Sequence, residues 1–204
     1  TALAQMYASA GSDEALQRLN YMIGELKKAQ DANGNGYVGG IPDSERIWKE
    51  ISEGKINAGG FSLNGGWVPL YNIHKTYAGL RDAYLIAGNE EAKQMLIDLT
   101  DWMIDITANL SEAQIQEMLK SEHGGLNETF ADVYKITGDK KYLDLAYAFT
   151  QKQVLDPLEH EKDILNGMHA NTQIPKVIGY ETIAALDQNK DYHNAATYLW
   201  ENVV

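Results

Sequence analysis

The sequence predicts an all-α protein in which helical hairpins follow one another as an α/α toroid. Three observations carry this expectation. Helices of two kinds alternate, one helix–turn–helix punctuation recurs along the chain, and the recurrences lie about 50 residues apart.

Leu16, Leu19, Ile23 and Leu26 recur at three- and four-residue steps, as do Ala92, Leu96, Leu99, Met103 and Ile106. Apolar residues at that period line one face of a helix and leave the other to water. The stretch from Leu70 to Ala87, LYNIHKTYAGLRDAYLIA, is apolar nearly all round, which fits an inner helix covered on several sides. The two kinds meet at YASAGSDEALQRL, YLIAGNEEAKQML, YKITGDKKYLDLA and, more weakly, IAALDQNKDYHNAA. Gly11, Gly88 and Gly138 stand where a helix ends in a left-handed residue, and Ser12, Asn89 and Asp139 stand where the next helix needs a cap. Gly88 and Gly138 are 50 positions apart, and Gly138 and Asn189 are 51 apart, so one hairpin with its return loop occupies that length. The longer step from Gly11 to Gly88 leaves room for an insertion, about residues 31–66. Its glycines and Pro42 predict an irregular surface excursion. Asp31, Asn33, Asn35 and Gly36 imitate the start of a calcium loop, but Pro42 stands where the bidentate glutamate is required, so the EF-hand reading is rejected.

Composition narrows the function. With 204 residues, 44% of them apolar, the chain can bury a core. A net charge of −12 argues against nucleic acid, whose affinity comes from clustered Lys and Arg. No apolar run approaches the ~20 residues of a membrane span. The absence of cysteine excludes disulfides, a thiolate nucleophile and cysteine-based zinc sites within the chain. The chain opens at Thr1 directly in helical text, and the expectation is that it is a stretch of something longer.

In a hairpin repeat the inner helices run the same way, so the loops entering their N-termini gather on one face. GGWVPLYNIH, SEHGGLNE and GMHANTQIP are those loops, and each holds a histidine. His74, His123 and His169 are 49 and 46 residues apart, near the repeat length, and are expected to converge on one concave face. With Asn127, Asn171, Gln173 and Glu128 they offer the mixed donors and acceptors that suit sugar hydroxyls. Trp67 is a candidate platform for a sugar ring, against the plainer reading of a packed tryptophan at a helix start. Glu128 is the local candidate for acid/base work, and no metal ligand set is assigned, because His123 and Glu128 lack helical zinc spacing. Pro69 and Pro175 read as first-turn prolines of inner helices, and His160 and His193 as solvent-exposed.

The segments NGNGYVGGIPD, GGFSLNGGWVPLYNIHKTYAGL, EHGGLNE and HANTQIPKVIG closely resemble the bacterial β-L-arabinofuranosidase-like glycoside hydrolases over essentially the whole chain. The resemblance implies an (α/α)6 barrel, of which residues 1–204 would be one helical part, followed by β-rich domains, with retaining hydrolysis of L-arabinofuranosides of plant polysaccharides or glycans. It implies a periplasmic or extracellular parent protein. In that family a cysteine at a zinc centre is the nucleophile and a glutamate the acid/base, both expected in segments after this chain; here there is no cysteine, so neither zinc nor nucleophile carries over. His74, His123 and His169 match the sugar-contacting positions. The resulting expectation is a fragment contributing sugar-binding residues, inactive alone and prone to self-association through open barrel edges. The alternative is a non-catalytic helical-repeat module that binds carbohydrate or serves as a scaffold.

Overall fold

A computed structural model describes residues 1–204. The protein is all-α: eleven helices and one very small sheet. Four hairpins form in succession, α1 (Ala2–Ala10) with α2 (Asp13–Asn33), α4 (Pro69–Leu85) with α5 (Glu90–Thr107), α7 (Leu126–Thr137) with α8 (Lys140–Ala148), and α10 (Ala170–Asp187) with α11 (Lys190–Val203). The first member of the later three hairpins is an inner helix, and α4 packs on α7 and α7 on α10.

The turns are built as the sequence requires. Gly11, Gly88 and Gly138 are left-handed, with φ of 61°, 69° and 74°, a region where a Cβ would meet its own carbonyl. Each donates its N–H four residues back, to Tyr7, Tyr84 and Tyr134. Ser12, Asn89 and Asp139 then accept backbone N–H groups of Ala15, Ala92 and Lys141, each such cap worth about 1 kcal/mol. The fourth turn reaches the same geometry without glycine, through Gln188 at φ 62° and the cap Asn189.

One continuous apolar core joins the hairpins. Tyr77, Phe130 and Phe149 meet edge to face at 5.2 and 5.0 Å across α4, α7 and the end of α8. The Tyr77 hydroxyl donates to the Leu99 carbonyl at 2.7 Å, which ties α4 to its outer helix. Fully buried side chains of this size contribute about 1.5–3 kcal/mol each. Apart from Phe61, Trp67, Leu85 and Ile86, the large apolar side chains left exposed lie on the first and last hairpins, among them Tyr21, Met22, Ile178 and Trp200. No helix is long and apolar enough to cross a membrane.

Two expectations need correction. The segment 31–66 is not simply an irregular excursion. It begins inside α2, whose left-handed cap is Gly34, and it contains α3 (Ser44–Ser52). Ile47, Trp48 and Ile51 of α3 are buried, and Trp48 meets Trp102 at 5.1 Å beside Tyr37. The helix forms because those residues cover α5; the flanking glycines hid it. Asp31 and Asn33 are thus helical, and Asn35 closes a local turn by accepting the N–H of Tyr37. The rest of the segment ends in three two-residue strands, β1 (Ala58–Gly59), β2 (Ser62–Leu63) and β3 (Gly66–Trp67), paired antiparallel in sequence order. The second correction is Pro175. Pro69 does open α4, but Pro175 sits inside α10, whose cap is His169. Lacking an N–H, it leaves the Asn171 carbonyl without its helical partner. Two further short helices, α6 (Glu112–Met118) and α9 (Lys152–Glu159), occupy the return connections.

Candidate functional site

The N-terminal turns of α4, α7 and α10 meet around Gly124 and Gly125. Gly124 is left-handed at φ 58°, and a Cβ there would lie 2.4 Å from Nδ1 of His74. A Cβ on Gly125 would stand 3.3 Å from Glu128 Oε2, 3.4 Å from the Pro175 carbonyl and 3.5 Å from His74 Nε2. The glycine pair is therefore the crossing point at which all three inner helices come together, and side chains there would force them apart.

His74 and His123 are buried beside this crossing. Burial pushes both imidazoles down to about 3, with Lys75 and Arg81 adding to the effect on His74 and Lys176 to that on His123. Both are neutral at physiological pH. Nδ1 of His123 lies 3.0 Å from the Ser121 carbonyl; a carbonyl only accepts, so Nδ1 carries the proton and Nε2 is left as an acceptor. Nδ1 of His74 has no partner in the protein, and neither has Oδ1 of buried Asn127. The Asn127 amide reaches only a long contact, 3.4 Å, to the Lys176 carbonyl. Gly179 makes room for it, since a Cβ there would fall 2.3 Å from Asn127 Cγ. Buried polar atoms without partners are rare in folded proteins, and Ser121 Oγ beside His123 lacks one too, as do Gln30, Tyr37, Trp48 and Tyr180 elsewhere.

Two cations, Lys176 buried and Arg81 partly so, hold the surroundings in place. Arg81 donates to Glu128 at 2.7 Å, to Asp132 at 2.9 Å and to Asp82 at 3.0 Å. Glu128 Oε1 is thereby engaged, while Oε2 faces Gly125. Lys176, only 2% exposed, donates to Gln151 and, at 2.9 Å, to Gln173. Burial pushes its ammonium down to about 8, with Glu122 acting in the opposite direction. Neither cation was singled out from the sequence, nor were Glu122, Asp132 and Phe61.

The predicted residues thus fall into an inner and an outer group. His74, His123, Asn127 and Glu128 share the glycine crossing, and Gln173 joins them through Lys176. Trp67 and His169 are exposed and are linked by Phe61: its ring stacks on Trp67 at 5.8 Å and meets His169 edge-on at 6.4 Å. Asn171, exposed in the first turn of α10, hydrogen-bonds to neither group. The groups are tied by one bond, from the Glu122 N–H to the Gly60 carbonyl at 2.8 Å. His160 and His193 are exposed, the latter against Glu181. Cavities lie on helix flanks, one of about 540 Å³ between α1, α2 and α4 and another of about 540 Å³ against α10 and α11. Neither includes the partnerless polar atoms.

A zinc ion does not fit the donor set here. No three His, Cys, Asp or Glu side chains come together as a ligand group, and Glu128 already gives one oxygen to Arg81. Structural and catalytic zinc both need at least three protein ligands.

No curated protein matches the chain. The family profile described as beta-L-arabinofuranosidase, GH127 catalytic domain, matches residues 1–204, every position of the sequence. A match of that extent, on an all-α hairpin fold, settles the family: this chain belongs to the β-L-arabinofuranosidase glycoside hydrolases and lies within their catalytic domain.

Proposed function

We propose that the chain supplies the sugar-gripping wall of an L-arabinofuranosidase cleft and does not carry out hydrolysis unaided. The observation that supports this most is the convergence of two neutral, buried histidines and Asn127 on the Gly124–Gly125 crossing, with polar atoms of His74 and Asn127 left without protein partners. A neutral imidazole offers one donor and one acceptor, and an amide offers both, which matches hydroxyl groups rather than a charged ligand. His123 Nε2 accepts a hydroxyl proton, His74 and Asn127 complete the ring of contacts, and the surrounding apolar helices keep water out.

Glu128 is the carboxylate that reaches the crossing, with Oε1 on Arg81 and Oε2 facing Gly125, so it is the candidate for proton transfer. Glycoside hydrolysis needs two groups flanking the scissile bond. The other carboxylates near Glu128, Asp82 and Asp132, share its arginine, and the chain has no thiol to act as nucleophile.

Calorimetric titration with methyl β-L-arabinofuranoside tests the binding. His123→Ala and Asn127→Ala are each expected to weaken it by about 5- to 100-fold, the range for a lost neutral hydrogen bond that leaves a buried polar group unpaired. Unchanged affinity in both variants refutes the cleft, and turnover of an aryl L-arabinofuranoside by the chain alone refutes the division of labour.

A further inference from the structure

The hairpin formed by β1 to β3 is too small to stand alone, since isolated two- and three-stranded ribbons of this length lack a core. It is nonetheless held rigidly. The Asn64 side chain accepts the Asn57 N–H at 2.9 Å and donates to Glu50 at 2.9 Å and to the Lys55 carbonyl at 2.8 Å. Leu63 is completely buried beneath it. Gly66 is pressed so closely that a Cβ would lie 2.8 Å from both Ile47 and Pro69. The Val68 N–H closes the loop on the Phe61 carbonyl at 2.9 Å.

Val68 shows that this shape is imposed. Its φ is 41° and its ψ 51°, a left-handed conformation that a β-branched residue avoids and that a residue before proline avoids further. Such strain costs on the order of 1–3 kcal/mol and persists where surrounding contacts over-determine it. What the strained hairpin displays is apolar surface. Trp67 is 75% exposed and Phe61 45%, their rings 29° from parallel. Folding gains little from a tryptophan left in water, so packing explains the strain but not the exposure of the rings.

We propose that the Trp67–Phe61 pair is a platform for the second sugar ring of an oligosaccharide whose terminal residue occupies the histidine cleft, a reading that rests on the cleft proposed above. Continuity selects this occupant. Phe61 abuts His169, and its neighbour Gly60 is bonded to Glu122, the residue before His123. A ligand reaching from the partnerless polar atoms to the rings needs hydroxyls at one end and a flat C–H face at the other, as a short sugar chain has. The charge of −12 disfavours an anionic ligand.

The test is calorimetry on the full chain with methyl β-L-arabinofuranoside, an L-arabinofuranosyl disaccharide and a phenyl L-arabinofuranoside. The disaccharide is expected to bind the wild type more tightly than the monosaccharide. Trp67→Ala should remove about tenfold of disaccharide affinity, the scale of one aromatic contact, and leave monosaccharide affinity unchanged. Trp67→Phe should restore most of the loss, and melting temperatures should match throughout, because Trp67 is exposed. Equal disaccharide affinity in wild type and Trp67→Ala overturns the platform while the cleft stands. A Trp67-dependent gain confined to the phenyl glycoside overturns it in favour of an aromatic aglycone. Monosaccharide affinity unmoved by both His123→Ala and Asn127→Ala overturns the cleft instead, and binding of no sugar by the wild type overturns both.

Discussion

Replacing Gly124 by alanine probes the crossing point directly. Two separate penalties are expected. At φ 58° the alanine must adopt a left-handed conformation, costing about 1–2 kcal/mol. Its Cβ must also occupy a point 2.4 Å from His74 Nδ1 and 3.0 Å from Cε1. That ring is buried and cannot swing aside, so the overlap adds about 1–3 kcal/mol of overpacking. The total, about 2–5 kcal/mol, should lower the melting temperature by roughly 5–15 °C for a chain of this size. Gly138→Ala is the control, because Gly138 has φ 74° and nothing within 4 Å of the added Cβ. It bears only the backbone penalty, and its melting temperature should fall by roughly 2–6 °C. A double-mutant cycle of Gly124→Ala with His74→Ala, followed by thermal melts, should show a coupling of about 1–3 kcal/mol, since the small side chain removes the overlap. Equal losses at Gly124 and Gly138, or additivity in the cycle, would refute the placement of His74 against this glycine.

The buried histidines set an acid limit: they are neutral in the fold with values near 3, whereas the unfolded chain protonates them near 6.5. Below that value the unfolded state binds more protons, so stability falls on acidification, by about 2 kcal/mol per histidine at pH 5. Melting from pH 7 to 5 should therefore be steeper for the wild type than for His74→Gln/His123→Gln, and parallel profiles would contradict this. Arg81→Met leaves the carboxylates of Asp82, Glu128 and Asp132 facing one another and should destabilise by about 3–5 kcal/mol in chemical denaturation, with Arg81→Lys recovering part; a loss under about 1 kcal/mol would show the cluster to be solvated. The exposed apolar side chains of the terminal hairpins, Tyr21 and Met22 at one end and Ile178 and Trp200 at the other, lead us to expect self-association. Light scattering should detect it and Ile178→Glu/Trp200→Glu should reduce it, whereas a monomer at high concentration would exclude it.

The hairpin turns were legible because their chemistry is local: a left-handed glycine and the following cap need no knowledge of the rest of the chain. The nearness of His74 and His123 was legible in their spacing, but not their places: His74 is the sixth residue of α4, whereas His123 precedes α7. Helix α3 was not legible, because its apolar residues Ile47, Trp48 and Ile51 form too short a pattern among glycines, and only contact with α5 makes it helical. The start of α10 was obscured by a rule that usually holds: proline favours the first turn, but here the cap is His169, a residue with no strong capping preference. Arg81 and Lys176 share α4 and α10 with exposed charges, Lys75 and Glu181, and only packing sets them apart. Glu128 and Asp132 lie 47 and 51 residues beyond Arg81, again near one repeat, so the pairing was written in the spacing. The hairpin's exposed rings were not legible, since exposure depends on what fails to cover them.

The placement of connections divides the molecule into two rims with different histories open to them. At one rim the chain reverses within a glycine or Gln188 and a capping residue, with Ile86 and Ala87 added only between α4 and α5, and an insertion there would disturb a cap. At the other rim the links between hairpins are long, spanning residues 34–68, 108–125 and 149–169, and already contain helices of their own. Doubling such a loop costs only about 0.6 kcal/mol of closure entropy. The side on which the histidines and aromatic rings gather is thus also the side that tolerates new length. New contacts around the histidines and rings can be added through these loops while the helical frame beneath stays as it is.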